Sequence, residues 1–198
     1  MGTREMDSPQ ELKIIRKLTD LLDQLNIVYA IGGSIASSVY GVVRFTQDAD
    51  ITVSPFSSVA DELYEMLKDD FYVSKQAMYH ALESRGSFNI IDFETSFKID
   101  IFVQADDDFE KQMLARSRKI NLGDLLDKAL SFISPEDIIL LKLKWYSQGG
   151  RASERQWSDI LGILAVQRER LDLEYLTRWA VRLGLKDLLE KAMAQSPT

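Results

Sequence analysis

The chain has 198 residues, 45% of them apolar and 28% charged, with a formal net charge of −7. Such fractions suit a globular protein that buries roughly 70% of its unfolded surface, and they exclude a disordered tail or a collagen-like rod. With no cysteine and His80 as the sole histidine, disulfide scaffolds, thiolate zinc sites and cysteine nucleophiles are excluded, and histidine-based metal sites or relays are disfavoured.

No apolar run approaches the roughly 20 residues of a membrane span. The stretch from Met1 to Gln10 is polar with both signs of charge, unlike a secretory leader. The expectation is a soluble cytoplasmic protein of one domain, or of one domain plus a smaller helical partner. From Lys142 onward there are 10 Lys and Arg against 7 Asp and Glu, a balance of +3, whereas residues 1–141 hold 14 and 24, a balance of −10. An acidic first part suits cations, and a mildly basic second part suits a phosphate-bearing substrate, although solvated surface accounts for most of these charges.

Ser8-Pro9 followed by Glu11 has the form of a helix start. Leu12, Ile15, Leu18, Leu22 and Leu25 then line one face of a helix predicted to end near Asn26. Ile27–Ile31 is a short apolar run closed by Gly32-Gly33, as in a buried strand, and Ser34–Tyr40 suits a short helix. Asp48–Val53 alternates and predicts a second strand. Pro55–Asp69 is predicted helical, Phe71–Val73 a brief strand, and Gln76–Glu83 another helical segment. Phe88–Asp92 and Phe97–Val103 are β-rich runs split by Glu94-Thr95-Ser96, which predicts a hairpin. A helix near Asp107–Arg116 and mixed short elements reach Ile133. Ser134-Pro135-Glu136-Asp137 is a second strong helix start. Helical periods follow at 138–146, 153–167, 173–183 and 186–194.

The chemistry-bearing residues fall in three pieces. A strand running into Gly32-Gly33-Ser34 and then a helix lets backbone approach an anion, with unpaired helix N–H groups and the Ser34 hydroxyl as donors. Alone, such a sequence is equally a common turn. Asp48 and Asp50 are two apart on a strand and share a face, roughly 7 Å apart along it, while Ala49, Ile51 and Val53 face the core. Paired carboxylates repel, and hard oxygen ligands suit Mg²⁺ or Mn²⁺. A polar strand end facing water is the alternative. The third piece is Asp100, on the face of Lys98-Ile99-Asp100-Ile101-Phe102-Val103 opposite Ile99, Ile101 and Val103. An aspartate amid a β-rich apolar run is costly unless it is paired or ligates something. Asp92 is a less forced case that equally starts a turn.

Gly32-Gly33-Ser34, then Gly41, Arg44, Thr46, Asp48 and Asp50, then Asp100, resemble the signature of the DNA polymerase β-like nucleotidyltransferase superfamily. The spelling Gly-x-x-Arg-x-Thr-x-Asp-x-Asp, Gly41 to Asp50, is similar to small bacterial members, the AbiEii-like toxins and minimal nucleotidyltransferases. The resemblance implies an α+β fold with a mixed sheet and flanking helices over residues 1–133, followed by a helical region over 134–198. It implies that Asp48, Asp50 and Asp100 hold two Mg²⁺ (or Mn²⁺) ions, with Asp100 helping to deprotonate an acceptor hydroxyl. Gly32, Gly33 and Ser34 would cradle the phosphates of a nucleoside triphosphate such as ATP. Lys142 and Asp159 match a lysine and an aspartate that reach the nucleotide in AbiEii-like relatives, with Lys144 competing for the first role and two solvated helix-face charges as the plain alternative. Arg44 either contacts phosphate or braces the turn before the metal strand.

The implied activity is transfer of a nucleoside monophosphate to a hydroxyl of RNA, protein or a small molecule, with release of pyrophosphate. In a toxin-like member it would be accompanied by an antitoxin partner. A non-catalytic nucleotide-binding module or partner subunit of the same fold is the competing expectation, and intact aspartates at all three positions favour the enzyme. His80 reads as a partly exposed helix residue. Trp145, Tyr146, Trp157 and Trp179 read as helix-packing core, and Asp106-Asp107-Asp108 as a helix cap.

Overall fold

The computed structural model describes residues 10–44, 46–126, 128–150 and 152–196; the helix start expected at Ser8-Pro9 lies outside them. In chain order the elements are α1 (Gln10–Gln24), β1 (Tyr29–Ile31), α2 (Gly33–Tyr40), β2 (Asp48–Val53), α3 (Ala60–Leu67), β3 (Phe71–Val73) and α4 (Lys75–Ser84). Then come β4 (Ser87–Asp92), β5 (Lys98–Val103), α5 (Asp108–Ala115), β6 (Arg118–Ile120), β7 (Leu130–Phe132), α6 (Pro135–Gln148), α7 (Glu154–Gln167), α8 (Leu173–Arg182) and α9 (Lys186–Gln195). The architecture is α+β, as expected. None of the helices among the described residues is long and apolar enough to cross a membrane.

The chain divides into two compact units. The first takes residues up to Ile31 together with Gln47–Phe132. Its seven described strands form one mixed sheet in the order β3-β4-β5-β2-β1-β7-β6. β2 runs parallel to β5 and β1 parallel to β7, while the other neighbours are antiparallel. Strand alternation sorts the faces. Ala49, Ile51, Val53, Ile99, Ile101, Val103, Phe88 and Ile90 are buried on one face, and Asp48, Asp50 and Asp100 lie half-buried on the other. The expected β4–β5 hairpin forms, with Ile90 opposite Ile99. The expected helix of Pro55–Asp69 is shorter: a 3-10 turn at Ser57–Val59 precedes α3. Among the residues expected between 117 and 133 only as mixed short elements, β6 and β7 extend the sheet past β1.

The second unit takes Gly32–Thr46 and the chain from Ile133 onward. Gly33 opens α2 at φ 55°, a left-handed conformation open to glycine at no steric cost. Ser134, Ser153 and Asp172 cap α6, α7 and α8 by accepting the N–H of Asp137, Gln156 and Tyr175. The two acids at the start of α6 are fully buried, and both are employed. Glu136 Oε1 accepts the N–H of Asp172 at 3.0 Å, tying α6 to the head of α8. Asp137 accepts the Tyr175 hydroxyl at 2.7 Å on Oδ1 and the Ser134 hydroxyl at 2.6 Å on Oδ2.

Gly41 has a steric explanation of its own. A Cβ there would lie 2.9 Å from the backbone N of Ile163 and 3.0 Å from the carbonyl carbon of Gly162. In turn, a Cβ on Gly162 would press on Val42 Cγ2 at 3.3 Å. The end of α2 and the middle of α7 approach backbone to backbone, and both partners are glycine.

Candidate active site

The register of β2 against β5 pairs Asp48 with Lys98 and Asp50 with Asp100. Neighbouring strands are about 4.8 Å apart and residues two apart share a face, so these four side chains form a rectangle of three acids and one base. Like charges directly opposite one another weaken a sheet. The Asp50–Asp100 pair is therefore an arrangement that folding alone would not favour. Lys98 offsets part of that repulsion, its Nζ standing 2.7 Å from Asp100 Oδ2. The hydrogen bond to Asp100 holds the Lys98 ammonium above its ordinary pKa, against a smaller desolvation effect, and the charges of Asp100, Asp48 and Asp50 add to it.

The family resemblance implies divalent cations at these aspartates. Among the described residues no group of three or more His, Asp or Glu side chains is arranged to hold a metal ion as it stands. The donor chemistry nevertheless fits: three carboxylates, all hard oxygen donors, emerge from one face of two adjacent strands. Lys98 already places a positive charge within their electrostatic reach.

A second group of charges forms in the helical unit. Asp159 on α7 accepts Arg44 Nε at 2.8 Å on Oδ1, and Arg44 Nη2 at 2.9 Å and Lys142 Nζ at 2.8 Å on Oδ2. Arg44 Nη2 also donates to Ser34 Oγ. The Arg44 backbone is fixed in turn, its N–H donating to Ser38 Oγ at 3.2 Å. Asp159 and Lys142 are nearly sealed from water, with side chains 6% and 10% exposed, while Arg44 is 24% exposed. Burial pushes the Asp159 carboxyl up. The hydrogen bonds from Arg44 and Lys142, with their charges, outweigh burial and hold it below the usual carboxylate range.

Two cations thus share one carboxylate beside Ser34. The alternative of two solvated helix-face charges at 142 and 159 is ruled out by their burial. Lys142, not Lys144, makes the pair with Asp159, and Arg44 pairs with Asp159 and donates to Ser34. Gly32 caps α2 without a side-chain hydrogen bond, so the first N–H groups of this helix depend on partners outside it.

Other sequence candidates resolve into structural roles. Asp92 is buried on the core face of β4, and its Oδ1 accepts the Thr95 N–H at 2.8 Å and hydroxyl at 2.7 Å, which makes it the start of the turn. Asp107 caps α5 through the Glu110 N–H, and His80 is exposed on α4. Trp179 is buried, but Trp145 is 54% exposed and does not belong to the core as expected. Tyr146 and Trp157 pack as a tilted ring pair with centroids 5.0 Å apart.

No protein-family model and no curated protein sequence matches this chain. Solved structures do. An antigenic nucleotidyltransferase-like protein from Paracoccidioides brasiliensis matches with a TM-score of 0.55 at 18% identity, covering 95% of this chain and 94% of its own. ANT(2")-Ia in complex with adenylyl-2"-tobramycin matches with a TM-score of 0.59 at 15% identity, covering 88% and 97%. The lincomycin-bound lincosamide antibiotic adenylyltransferase LnuA matches with a TM-score of 0.54 at 15% identity, covering 81% and 99%. The fold of this chain is therefore of the nucleotidyltransferase type, a mixed sheet with flanking helices followed by further helices.

Proposed function

We propose that the chain is a metal-dependent nucleotidyltransferase, transferring a nucleoside monophosphate from a nucleoside triphosphate to a hydroxyl acceptor with release of pyrophosphate. The observation that carries this reading is the Asp50–Asp100 pair facing each other across β2 and β5, with Asp48 two residues along the same face. Such a pairing weakens a sheet, whereas carboxylates brought together are the hard oxygen donors a divalent cation takes.

In this reading Asp48, Asp50 and Asp100 hold the metal. When bound, divalent cations there would supply positive charge to the transferring phosphoryl group. The chain's own groups do the remaining work. Gly32 and Gly33 bring the α2 N-terminus to the triphosphate, and Ser34 donates to it. Lys142 and Arg44, oriented by Asp159, supply positive charge. Asp100 accepts the acceptor's proton. Positioning and electrostatics suffice for this reaction class, which agrees with a chain that lacks cysteine.

A small-molecule hydroxyl is the acceptor class we place first. A net charge of −7 opposes the counterion-driven grip that RNA binding needs. Two structures of this fold that hold tobramycin-derived and lincomycin ligands support that choice.

The test uses each α-labelled nucleoside triphosphate with Mg²⁺ or Mn²⁺ and separated metabolite, RNA and protein fractions, with wild type beside Asp50→Asn. We expect label in the metabolite fraction with wild type, and at least a hundredfold less with the variant, in line with losing a transition-state contact of about 3 kcal/mol. Label in RNA or protein would reassign the acceptor and bring the toxin-like branch, with an antitoxin partner, to the fore. Nucleotide binding without transfer would make the chain a binding module, and full activity in Asp50→Asn would remove the metal assignment.

A further inference from the structure

Three acids and one base share the open face of β2 and β5, and the base has a position that general surface charge does not explain. Lys98 lies opposite Asp48 in the ladder and two residues before Asp100 on the same face. It therefore adjoins two of the three carboxylates, and its ammonium contacts Asp100 at 2.7 Å. Its own side chain is 41% exposed, so it has a solvated route away from the acids, whereas Asp100 is 18% exposed. The opposed Asp50 and Asp100 repel each other in a sheet whose other face is solid core, and Lys98 offsets part of that repulsion.

We propose that Lys98 is a built-in counter-cation of the carboxylate face: it offsets the repulsion among the three aspartates in the metal-free protein and is displaced from Asp100 when a divalent ion binds. The inference rests on the proposed metal site and assigns a positioning role that the site residues alone do not contain. A flexible four-carbon stem carrying a point charge suits the exchange, because an ammonium makes no rigid bidentate clamp and leaves readily into water.

Two consequences follow. The free protein binds divalent cations more weakly than three carboxylates should, because each ion competes with a tethered positive charge. The same lysine keeps the sheet stable while the metal is away. Removing it should tighten metal binding and loosen the metal-free fold together, a combination that a merely structural salt bridge would not give.

The experiment measures Mn²⁺ binding to chelator-stripped protein without nucleotide, by the paramagnetic resonance signal of the free ion. Wild type, Lys98→Met, Lys98→Gln, Asp50→Asn and Lys119→Met are compared. Lys119 is an exposed residue of β6 and controls for net charge alone. A half-exposed ion pair of this kind is worth roughly a two- to fivefold change in affinity. We expect both Lys98 variants to bind Mn²⁺ tighter by that factor, Lys119→Met to match wild type, and Asp50→Asn to lose the site. Thermal melts in EDTA at low salt should show the Lys98 variants melting below wild type, with Mn²⁺ giving them the larger upward shift.

Equal affinity in wild type and both Lys98 variants would overturn the counter-cation role and leave the metal site standing. An equal gain in Lys119→Met would reduce it to bulk electrostatics and overturn it as well. No Mn²⁺ binding to any variant at millimolar ion would overturn it too, and the labelled-nucleotide assay would then decide the metal site itself.

Discussion

Removal of Asp159 should destabilise the helical unit more than removal of either of its partners. Its carboxylate takes three charge-assisted hydrogen bonds at 2.8, 2.9 and 2.8 Å from two cations, and its side chain is 6% exposed. In Asp159→Ala the Lys142 ammonium keeps its near-burial, 10% exposed, but loses that carboxylate. Breaking a buried pair from one side costs about 3–5 kcal/mol. The lower end applies here, because Arg44 is 24% exposed and can turn its guanidinium to water. A loss of about 3 kcal/mol is a large share of a typical total of about 5–15 kcal/mol. Lys142→Met should cost less, since Asp159 keeps its two-pronged bond to Arg44, and the Lys142→Met, Asp159→Ala double variant should recover about 1–2 kcal/mol relative to Asp159→Ala. Urea unfolding at pH 7, followed by far-ultraviolet circular dichroism, measures all three. If Asp159→Ala unfolds within about 0.5 kcal/mol of wild type, or if the double variant regains nothing, the charges at 44, 142 and 159 are not energetically coupled and the reasoning fails.

Two further outcomes follow from the same geometry. Asp159 has its pKa depressed in the folded protein, so its contribution is fully present above the unfolded carboxylate value of about 3.9 and is lost as pH falls below that through the lower folded value; the stability gap between wild type and Asp159→Asn should therefore be wide at pH 7 and shrink in the acid range, as equilibrium unfolding at a series of pH values will show. Gly41→Ala should destabilise by about 1–3 kcal/mol, because the new methyl meets backbone atoms of α7 at 2.9 and 3.0 Å that cannot rotate aside; an unchanged melting temperature would mean that the α2–α7 approach is looser than described.

Local pattern carried most of the element order. The alternation of Asp48–Val53 and of the run ending at Val103 places strands where β2 and β5 lie, and the serine-led starts at 134 and 153 do cap helices. What local pattern does not contain is partnership. β6 and β7 are three residues each, too short for any period to register, and they are strands only because β1 offers β7 an edge. Helical spacing alone places Trp145 in the core, because spacing counts neighbours on a face but not whether anything covers that face; Trp145 is 54% exposed.

The candidate site shows the same division more sharply. That Asp48 and Asp50 share a face follows from the strand period; that Asp50 meets Asp100 follows only from the parallel register of two strands 50 residues apart. Lys98 was visible beside Asp100 on the same face, yet its weight comes from lying opposite Asp48, which again is register. Arg44 and Asp159 are 115 positions apart, and no spacing rule connects them, although the unusual cost of burying Lys142 demands an acid somewhere nearby. Gly41 stands out in the sequence by its place in a motif, and the structure supplies a different reason for it: a backbone-to-backbone approach with Gly162 that admits no side chain. Part of a motif that reads as chemistry is therefore packing. The residues left as candidates for chemistry are those whose placement works against the fold: two carboxylates set face to face across β2 and β5, with Lys98 in contact with one of them.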